Sequence, residues 1–127
     1  MAGDVWALKV FQRAYELSLE LHRASLGWPK TEQYGGMADQ LRRASKSICA
    51  LLVEGGGRQP GSDVEFRRYV TMAIGSTDEA RLWCRYAADL GLVPSAQAQA
   101  WQAELSEIAR MLHGLRSSFQ GGRLSEN

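Results

Sequence analysis

This sequence of 127 residues is poor in the residue types that cross-link chains or hold metals. It contains 2 cysteines, Cys49 and Cys84, which both lie inside predicted helices, and it has no C-x-x-C pair. Isolated mid-helix cysteines do not match a disulfide framework, a zinc site or a redox motif. We therefore expect both thiols to be reduced packing residues.

Histidines and catalytic motifs are equally scarce. The 2 histidines are His22 and His113, and the residues three positions before them are Leu19 and Arg110, so neither completes the Glu-x-x-His motif of a di-metal bundle. No serine, cysteine or threonine stands beside a candidate base in a recognised motif. The glycine run at 55–57 lacks the spacing of a phosphate-binding loop. We expect no catalytic residue, metal, cofactor or small-molecule substrate.

Proline, net charge and long hydrophobic runs are also limited. The 3 prolines leave room for long uninterrupted helices. A formal net charge of +1 gives no bulk field that would indicate a nucleic-acid partner, although it is compatible with a local basic patch. No apolar run approaches the ~18 residues of a membrane span, and the N-terminus lacks the features of a signal peptide. We expect a cytoplasmic protein without membrane contact.

What the sequence does contain is regular hydrophobic periodicity, with 45% hydrophobic and 23% charged residues, as in a globular domain. Steps of three and four predict four helices and no strand. Short connections between long helices predict an all-α, antiparallel up-down-up-down four-helix bundle. This domain should cover residues 1–120, with 121–127 as a flexible tail.

Local signals place the four helices. The predicted ranges are about 5–25, 36–56, 62–90 and 95–119. Asp4 should cap the first helix, and Ser62 with Glu65 forms a capping box for the third. The glycines at 55–57 should end the second helix, and Gly91 should adopt the left-handed conformation after the third.

Each predicted helix carries an apolar seam. The seams are Val10, Ala14, Leu17, Leu21 and Ala24, widened by Leu8, Phe11 and Tyr15; Met37, Leu41, Ala44, Ile48, Leu51 and Gly55; Phe66, Tyr69, Ala73, Ser76, Ala80, Trp83, Ala87 and Leu90; and Trp101, Leu105, Ile108, Leu112, Leu115 and Phe119. If Trp83 is fully buried, its replacement by alanine should cost about 3–5 kcal/mol. Helices 1 and 3 have more apolar surface than one core consumes, which predicts a closed homo-oligomer.

The second helix also carries a polar stripe, formed by Gln40, Arg43, Ser47, Glu54 and Arg58. Arg43 and Glu54 are about 16 Å apart along the axis, too far for a direct bond. We expect Arg43 to reach a carboxylate or carbonyl on another helix or subunit, and Glu54 to pair with Arg58 or a helix N-terminus. Arg43→Ala should then destabilise the fold or the oligomer; if Arg43 instead contacts phosphate, the mutant should be stable and bind RNA more weakly.

Basic residues on the second and third helices are candidate contacts to RNA or to a partner. They are Arg42, Arg43, Lys46, Arg58, Arg67, Arg68, Arg81 and Arg85. The aromatic residues Tyr69, Trp83 and Tyr86 lie among them, and arginines with aromatics bind RNA phosphates and stack on unpaired bases. Acidic residues are interspersed, however, as on any soluble helix.

The stretch over residues 34–58 carries two linked motifs, Y-G-x-M-x-D-Q-L-R-R-A-x-x-S-I and E-G-x-G-R. It resembles the four-helix bundle family encoded in intervening sequences of 23S rRNA genes, also called the S23 ribosomal protein family, which is distantly related to accessory proteins of diversity-generating retroelements. The resemblance continues at Val5-Trp6, Trp28-Pro29, A-x-G-S at 73–76 and M-L-x-G-L at 111–115. The family has Pro and Asn where this chain has Cys49 and Leu51, so any role of that Asn amide is absent.

The resemblance implies a homo-oligomer, since relatives form homopentameric rings, and an association with RNA. Two function classes follow. The first is a non-enzymatic oligomeric module that binds RNA or an RNA-handling protein. The second is a purely structural or protein-binding bundle with no nucleic-acid role.

Overall fold

The computed structural model describes residues 4–58 and 63–119, which form helices and turns and contain no strand. The four α-helices are α1 (Lys9–Ser25), α2 (Met37–Arg58), α3 (Asp63–Asp89) and α4 (Ser95–Ser118), with 3-10 turns at Val5–Ala7 and Lys30–Glu32. The prediction of four helices is confirmed. The predicted tail at 121–127 and the capping residue Ser62 lie outside the described residues.

Contacts between side chains show that consecutive helices run antiparallel. Along α2 and α3, Ser76 contacts Ser47 and Tyr69 contacts Glu54, so a step of seven forward on one helix is a step of seven backward on the other. The first and last helices, α1 and α4, are also antiparallel. Arg13 contacts Glu104, whereas Glu20, further along α1, contacts Trp101, which comes earlier in α4.

The four helices are arranged in a ring, in the order α1, α2, α3, α4. Each helix packs against its two neighbours, and within the described ranges the diagonal pairs make no close backbone approach. Lys46 of α2 reaches His22 of α1, and Arg116 of α4 reaches Thr71 of α3, which completes the ring. This arrangement is the antiparallel four-helix bundle that the sequence predicts.

The entry to α1 differs from the prediction. The Asp4 side chain accepts a hydrogen bond from the Trp6 N–H at 3.1 Å and so caps the short 3-10 turn rather than α1. Leu8 then has an extended backbone (φ −66°, ψ 139°), and α1 begins at Lys9. The break allows Val5 and Leu8 to be buried together in the core.

The glycines at 55–57 lie inside α2, so the prediction that they end it is wrong. None of the three has a positive φ. A Cβ added to Gly55 would lie 2.6 Å from the Cβ of Tyr69, and one added to Gly56 would overlap the side chain of Val5. Gly55 and Gly56 therefore permit close approach of α3 and of the N-terminal turn.

The end of α3 is as predicted. Gly91 has a φ of +75°. The N–H of Leu92 donates to the carbonyl of Ala87 at 2.8 Å, and the N–H of Gly91 donates to that of Ala88 at 3.0 Å. This hydrogen-bond pattern ends a helix at a left-handed glycine and folds Leu92 back against the core.

The core seam of α3 is right at five of its eight positions. Buried as predicted are Phe66, Tyr69, Ala73, Ala80 and Ala87, and buried in addition are Val70, Ile74, Thr77 and Cys84. The predicted Ser76 and Trp83 are only partly buried, and Leu90 is 58% exposed. The condition for a large loss in Trp83→Ala, full burial, is therefore not met.

Smaller errors occur on α1 and α2. Tyr15 and Ala24 are exposed rather than part of the α1 seam. On α2, Leu52 is fully buried, whereas the predicted Leu51 is only partly covered. All six predicted core residues of α4 are buried.

A candidate nucleic-acid interface

The polar stripe of α2 lies along the edge that borders α3. Ser76 Oγ donates to Ser47 Oγ at 3.0 Å, and Tyr69 Oη donates to a Glu54 carboxylate oxygen at 3.3 Å. Two residues of the stripe therefore have their partners on α3. The stripe contributes to the contact between two helices and is not by itself a binding surface.

Among the described residues, Arg43 pairs within its own helix rather than with another helix, and the expected contact with a second subunit stays a prediction. Its Nε lies 3.5 Å from Oδ1 of Asp39, one turn earlier on α2, and its side chain is 76% exposed. Glu54, by contrast, contacts Tyr69 on α3. Arg43 and Glu54 therefore have separate partners; the side chain of Arg58, the other expected partner of Glu54, lies outside the described part of the chain.

Arg42, another candidate for RNA contact, is turned inward. Its Nε donates to Ser25 Oγ at 2.7 Å, and its Nη2 donates to the side-chain oxygen of Gln33. The Gln33 amide donates in turn to the carbonyls of Ser25 and Trp28. Arg42 therefore holds the connection between α1 and α2, and at least two of its five N–H donors are used within the protein.

Lys46 points towards α1. Its Nζ lies 3.0 Å from Nδ1 of His22, and this geometry suits a neutral imidazole that accepts the hydrogen bond. Burial lowers the pKa of His22, and the positive charge of Lys46 lowers it further. This residue too is engaged within the chain.

The four arginines of α3 lie on two different flanks. Arg68 is on the flank towards α2, 3.2 Å from Glu65 and with its guanidinium carbon 5.1 Å from the centre of the Tyr69 ring. Helical periodicity puts Arg67, Arg81 and Arg85 on the flank towards α4. The eight basic residues predicted from sequence therefore do not converge into one patch.

Trp83 and Tyr86 form an aromatic pair on α3, and Tyr86 lines the same cleft as Arg85. The rings of Trp83 and Tyr86 are 5.7 Å apart, and Tyr86 is 47% exposed. Arg81 pairs with Asp78 at 3.3 Å, and Arg85 is 3.9 Å from Asp89, so both guanidinium groups are held at the surface by weak, exposed ion pairs.

We call Arg85 and Tyr86, with the neighbouring Trp83, the α3 face. Beside it lies a shallow cleft of about 320 Å³, lined by Leu82, Arg85, Tyr86 and Asp89. An accessible ring next to a guanidinium is an arrangement that stacks an unpaired base and contacts its phosphate. The α3 face is therefore the best candidate for a nucleic-acid interface among the residues predicted from sequence.

Three side chains that sequence reasoning did not select form a further polar group between α3 and α4. Arg116 donates through Nη1 to Thr71 Oγ1 at 3.1 Å, and its Nη2 lies 2.9 Å from Nδ1 of His113. The spacing of Arg116 three residues after His113 was the only signal in the sequence.

The two cysteines are buried and form no disulfide bond. Burial raises the pKa of Cys49 and of Cys84 to about 12 in each case. The expectation of reduced packing residues is therefore confirmed for both thiols.

The described residues contain neither a metal-binding cluster nor a membrane-spanning helix. Across residues 4–58 and 63–119, no three His, Cys, Asp or Glu side chains are grouped so that they could hold a metal ion. None of the helices in these ranges combines the length and apolar character needed to cross a membrane.

An apolar groove lies between the start of α1 and the end of α2. Trp6, Phe11 and Tyr15 form its aromatic wall, with ring separations of 5.1 Å and 6.1 Å. Val53 lies opposite, and the groove has a volume of about 400 Å³. Trp6 is 59% exposed and Tyr15 48% exposed, which is unusual for large aromatic side chains outside an interface.

Comparison with known proteins gives matches of two kinds. The family model described as 23S rRNA-intervening sequence protein matches residues 7–114. The crystal structure of a protein of unknown function, from the S23 ribosomal protein family of Bacteroides thetaiotaomicron, superposes with a TM-score of 0.75 at 18% sequence identity, over 85% of this chain and 95% of that chain. A search of curated proteins finds no significant match.

Proposed function

This chain belongs to the 23S rRNA-intervening sequence protein family, and from that premise we propose that it is a non-enzymatic, cytoplasmic helical bundle that self-associates and binds RNA. The bundle supplies a rigid support, and the α3 face supplies the contacts. The observation that carries the RNA proposal is the exposed ring of Tyr86, which lies near Trp83 and lines a surface cleft together with Arg85.

The chemistry of the α3 face suits single-stranded rather than duplex RNA. An aromatic ring stacks on any unpaired base, at about 1–3 kcal/mol per base. A guanidinium placed next to the ring contacts the phosphate that follows the base. Asp89 competes for Arg85 only weakly, because this ion pair is exposed and screened by salt.

Self-association is supported by the groove formed by Trp6, Phe11, Tyr15 and Val53. Burying this groove against a second copy removes exposed aromatic surface from water. A closed ring would also repeat a modest RNA contact on each subunit, so that a net charge of +1 per chain is sufficient for useful avidity. We propose a homopentamer, as the family resemblance implies.

RNA binding is tested by titrating labelled single-stranded RNA at several salt concentrations and measuring fluorescence anisotropy. We expect the affinity to fall as salt rises, because each phosphate contact releases counterions. Arg85→Ala should weaken binding and make the salt slope shallower by about one. Arg23→Ala, which removes an exposed arginine of α1, is the matched control and should change neither quantity.

The alternative is a bundle that binds only protein, for which the apolar groove is the favourable observation. It predicts no RNA binding by the wild-type chain even at low salt. Sedimentation equilibrium tests the assembly independently: five chains of 14.1 kDa amount to about 70 kDa. A single 14.1 kDa species in a dilute sample would contradict self-association.

A further inference from the structure

The flank between α3 and α4 contains a group of cations that lies away from the α3 face. Arg116 is held in place at both ends of its guanidinium, by Thr71 Oγ1 at 3.1 Å and by Nδ1 of His113 at 2.9 Å. These two contacts use two of the five N–H donors of the guanidinium and leave the others available. Neither contact neutralises the positive charge.

His113 provides a further N–H donor beside the Arg116 guanidinium. Since its Nδ1 accepts from Arg116, the ring proton of the neutral imidazole is on Nε2. The side chain is exposed. Arg116 and His113 therefore present their remaining N–H groups from one turn of α4.

Arg67 lies one helical turn before Thr71, on the same side of α3. The Thr71 hydroxyl donates to the backbone carbonyl of Arg67 at 3.0 Å and accepts from the Arg116 guanidinium. The rings of Phe66 and Phe119, with centres 4.7 Å apart, put the start of α3 and the end of α4 at the same level. Arg67 is partly buried, and its Nε is shielded from solvent without an acceptor among the described residues.

No described carboxylate forms an ion pair with either arginine. Glu107, the acidic residue of α4 nearest to His113 in sequence, is engaged with Arg13 and Arg110 instead. Arg67 and Arg116 thus lie on neighbouring helices without a carboxylate partner among the described residues, whereas the arginines that do pair with carboxylates include Arg13, Arg43, Arg68, Arg81, Arg85 and Arg110.

We propose that Arg67 and Arg116, with His113 beside them, form a binding site for a phosphate group on the α3–α4 flank. Guanidinium groups match the geometry of phosphate oxygens and donate two hydrogen bonds at once. The proposal deepens the proposed function and rests on it for the source of the phosphate, which is the RNA backbone. Arg67 and Arg85 are 18 residues apart on α3, about 27 Å along the axis, so this site would position a different part of the RNA from that bound at the α3 face.

The site itself is tested with inorganic phosphate alone, independently of RNA. The Nε–Hε resonances of the arginine side chains are followed by NMR during a phosphate titration of the full chain. We expect saturable shifts for Arg67 and Arg116 and none for Arg110, an exposed arginine of α4 that pairs with Glu107. Shifts that are linear, or equal for all three arginines, would show an adventitious ion only and would overturn the site.

The source of the phosphate is tested with RNA and conservative variants. Arg116→Gln and Arg67→Gln should each weaken RNA binding about tenfold and make the salt slope shallower by about one, whereas Arg116→Lys should retain most of the slope. Arg110→Gln is the control and should behave as wild type. Circular dichroism of each variant confirms that the bundle is intact.

The outcomes separate this inference from the proposed function. Saturable phosphate binding with unchanged RNA affinity in both Gln variants supports the site and assigns it to free phosphate. RNA binding by wild type together with no saturable phosphate binding and unchanged variants overturns the site and leaves the α3 face standing. Absence of RNA binding by wild type overturns the proposed function, and the phosphate titration then decides the site alone.

Discussion

Arg13 on α1 and Glu104 on α4 form a two-pronged ion pair across the bundle. Nε donates to one carboxylate oxygen at 2.9 Å and Nη2 to the other at 2.6 Å. The bond to Glu104 raises the pKa of the Arg13 guanidinium. The backbones of these two helices approach each other less extensively than those of the other three neighbouring pairs, so polar contacts contribute an unusual share of this interface.

Glu104→Gln should therefore lower the free energy of unfolding, by about 0.2–1 kcal/mol, since both side chains are partly exposed. Urea unfolding measures the change, and the loss should shrink in 1 M salt because of screening. Arg43→Ala removes an exposed pair within one helix and should cost no more than about 0.5 kcal/mol. A greater loss for Arg43→Ala would restore the expectation from sequence that Arg43 is a packing residue.

Two glycine substitutions should have opposite effects. In Gly55→Ala the new Cβ would meet the Tyr69 Cβ at 2.6 Å, so α2 and α3 must separate, at a cost of about 1–3 kcal/mol. Gly75→Ala adds a methyl group with nothing within 4 Å and should stabilise α3 by about 0.4–1 kcal/mol. Thermal or chemical unfolding of both variants measures this; equal changes of the same sign would show that the contact with Tyr69 is unimportant.

The fold could be predicted from sequence because each helix repeats its apolar residues with helical spacing. The choice of seam on α3 could not. Two stripes share Phe66, Ala73 and Ala80, and helical spacing does not choose between the one that contains Trp83 and the one that contains Thr77. The bundle buries Thr77, whose hydroxyl donates to the Ala73 carbonyl at 2.8 Å, and leaves Trp83 partly exposed at the edge.

The candidate site was less predictable for a related reason. The sequence does not show in which direction a basic side chain points or which residue it contacts. Arg42, a candidate from sequence, binds Ser25 and Gln33 within the chain. Arg116, which is not a candidate from sequence, forms an exposed cluster with His113. Only the packing of α3 against α4 brings Arg116 and Arg67 to the same level.

The buried thiols should be inert in the folded protein. With pKa values of about 12, Cys49 and Cys84 are almost fully protonated at pH 8, and the thiolate is the reactive form. A disulfide reagent should therefore label neither thiol in buffer and both thiols in denaturant. Rapid labelling of Cys49 in the native state would show that the groove beside it opens to solvent.

Stability should decline in mild acid through His22. Its pKa in the folded state is below the ordinary value of 6.5 because of burial and of Lys46, so protons bind more tightly to the unfolded chain. The stabilising contribution of neutral His22 to folding is complete above about pH 6.5, and it is lost as the pH falls below that value. Urea unfolding between pH 7.5 and 5.5 should show a steeper decline for wild type than for His22→Gln; parallel curves would contradict the assignment.

The role of the α3 face is tested most directly by the RNA affinity of Tyr86→Ala compared with Tyr34→Ala. Tyr34 is 95% exposed and lies outside the α3 face, so it controls for loss of a surface tyrosine. We expect Tyr86→Ala to weaken binding of single-stranded RNA by about 1–3 kcal/mol, the value of one stacked base, and Tyr34→Ala to leave it unchanged. Equal RNA affinities for the two variants and wild type would contradict the account.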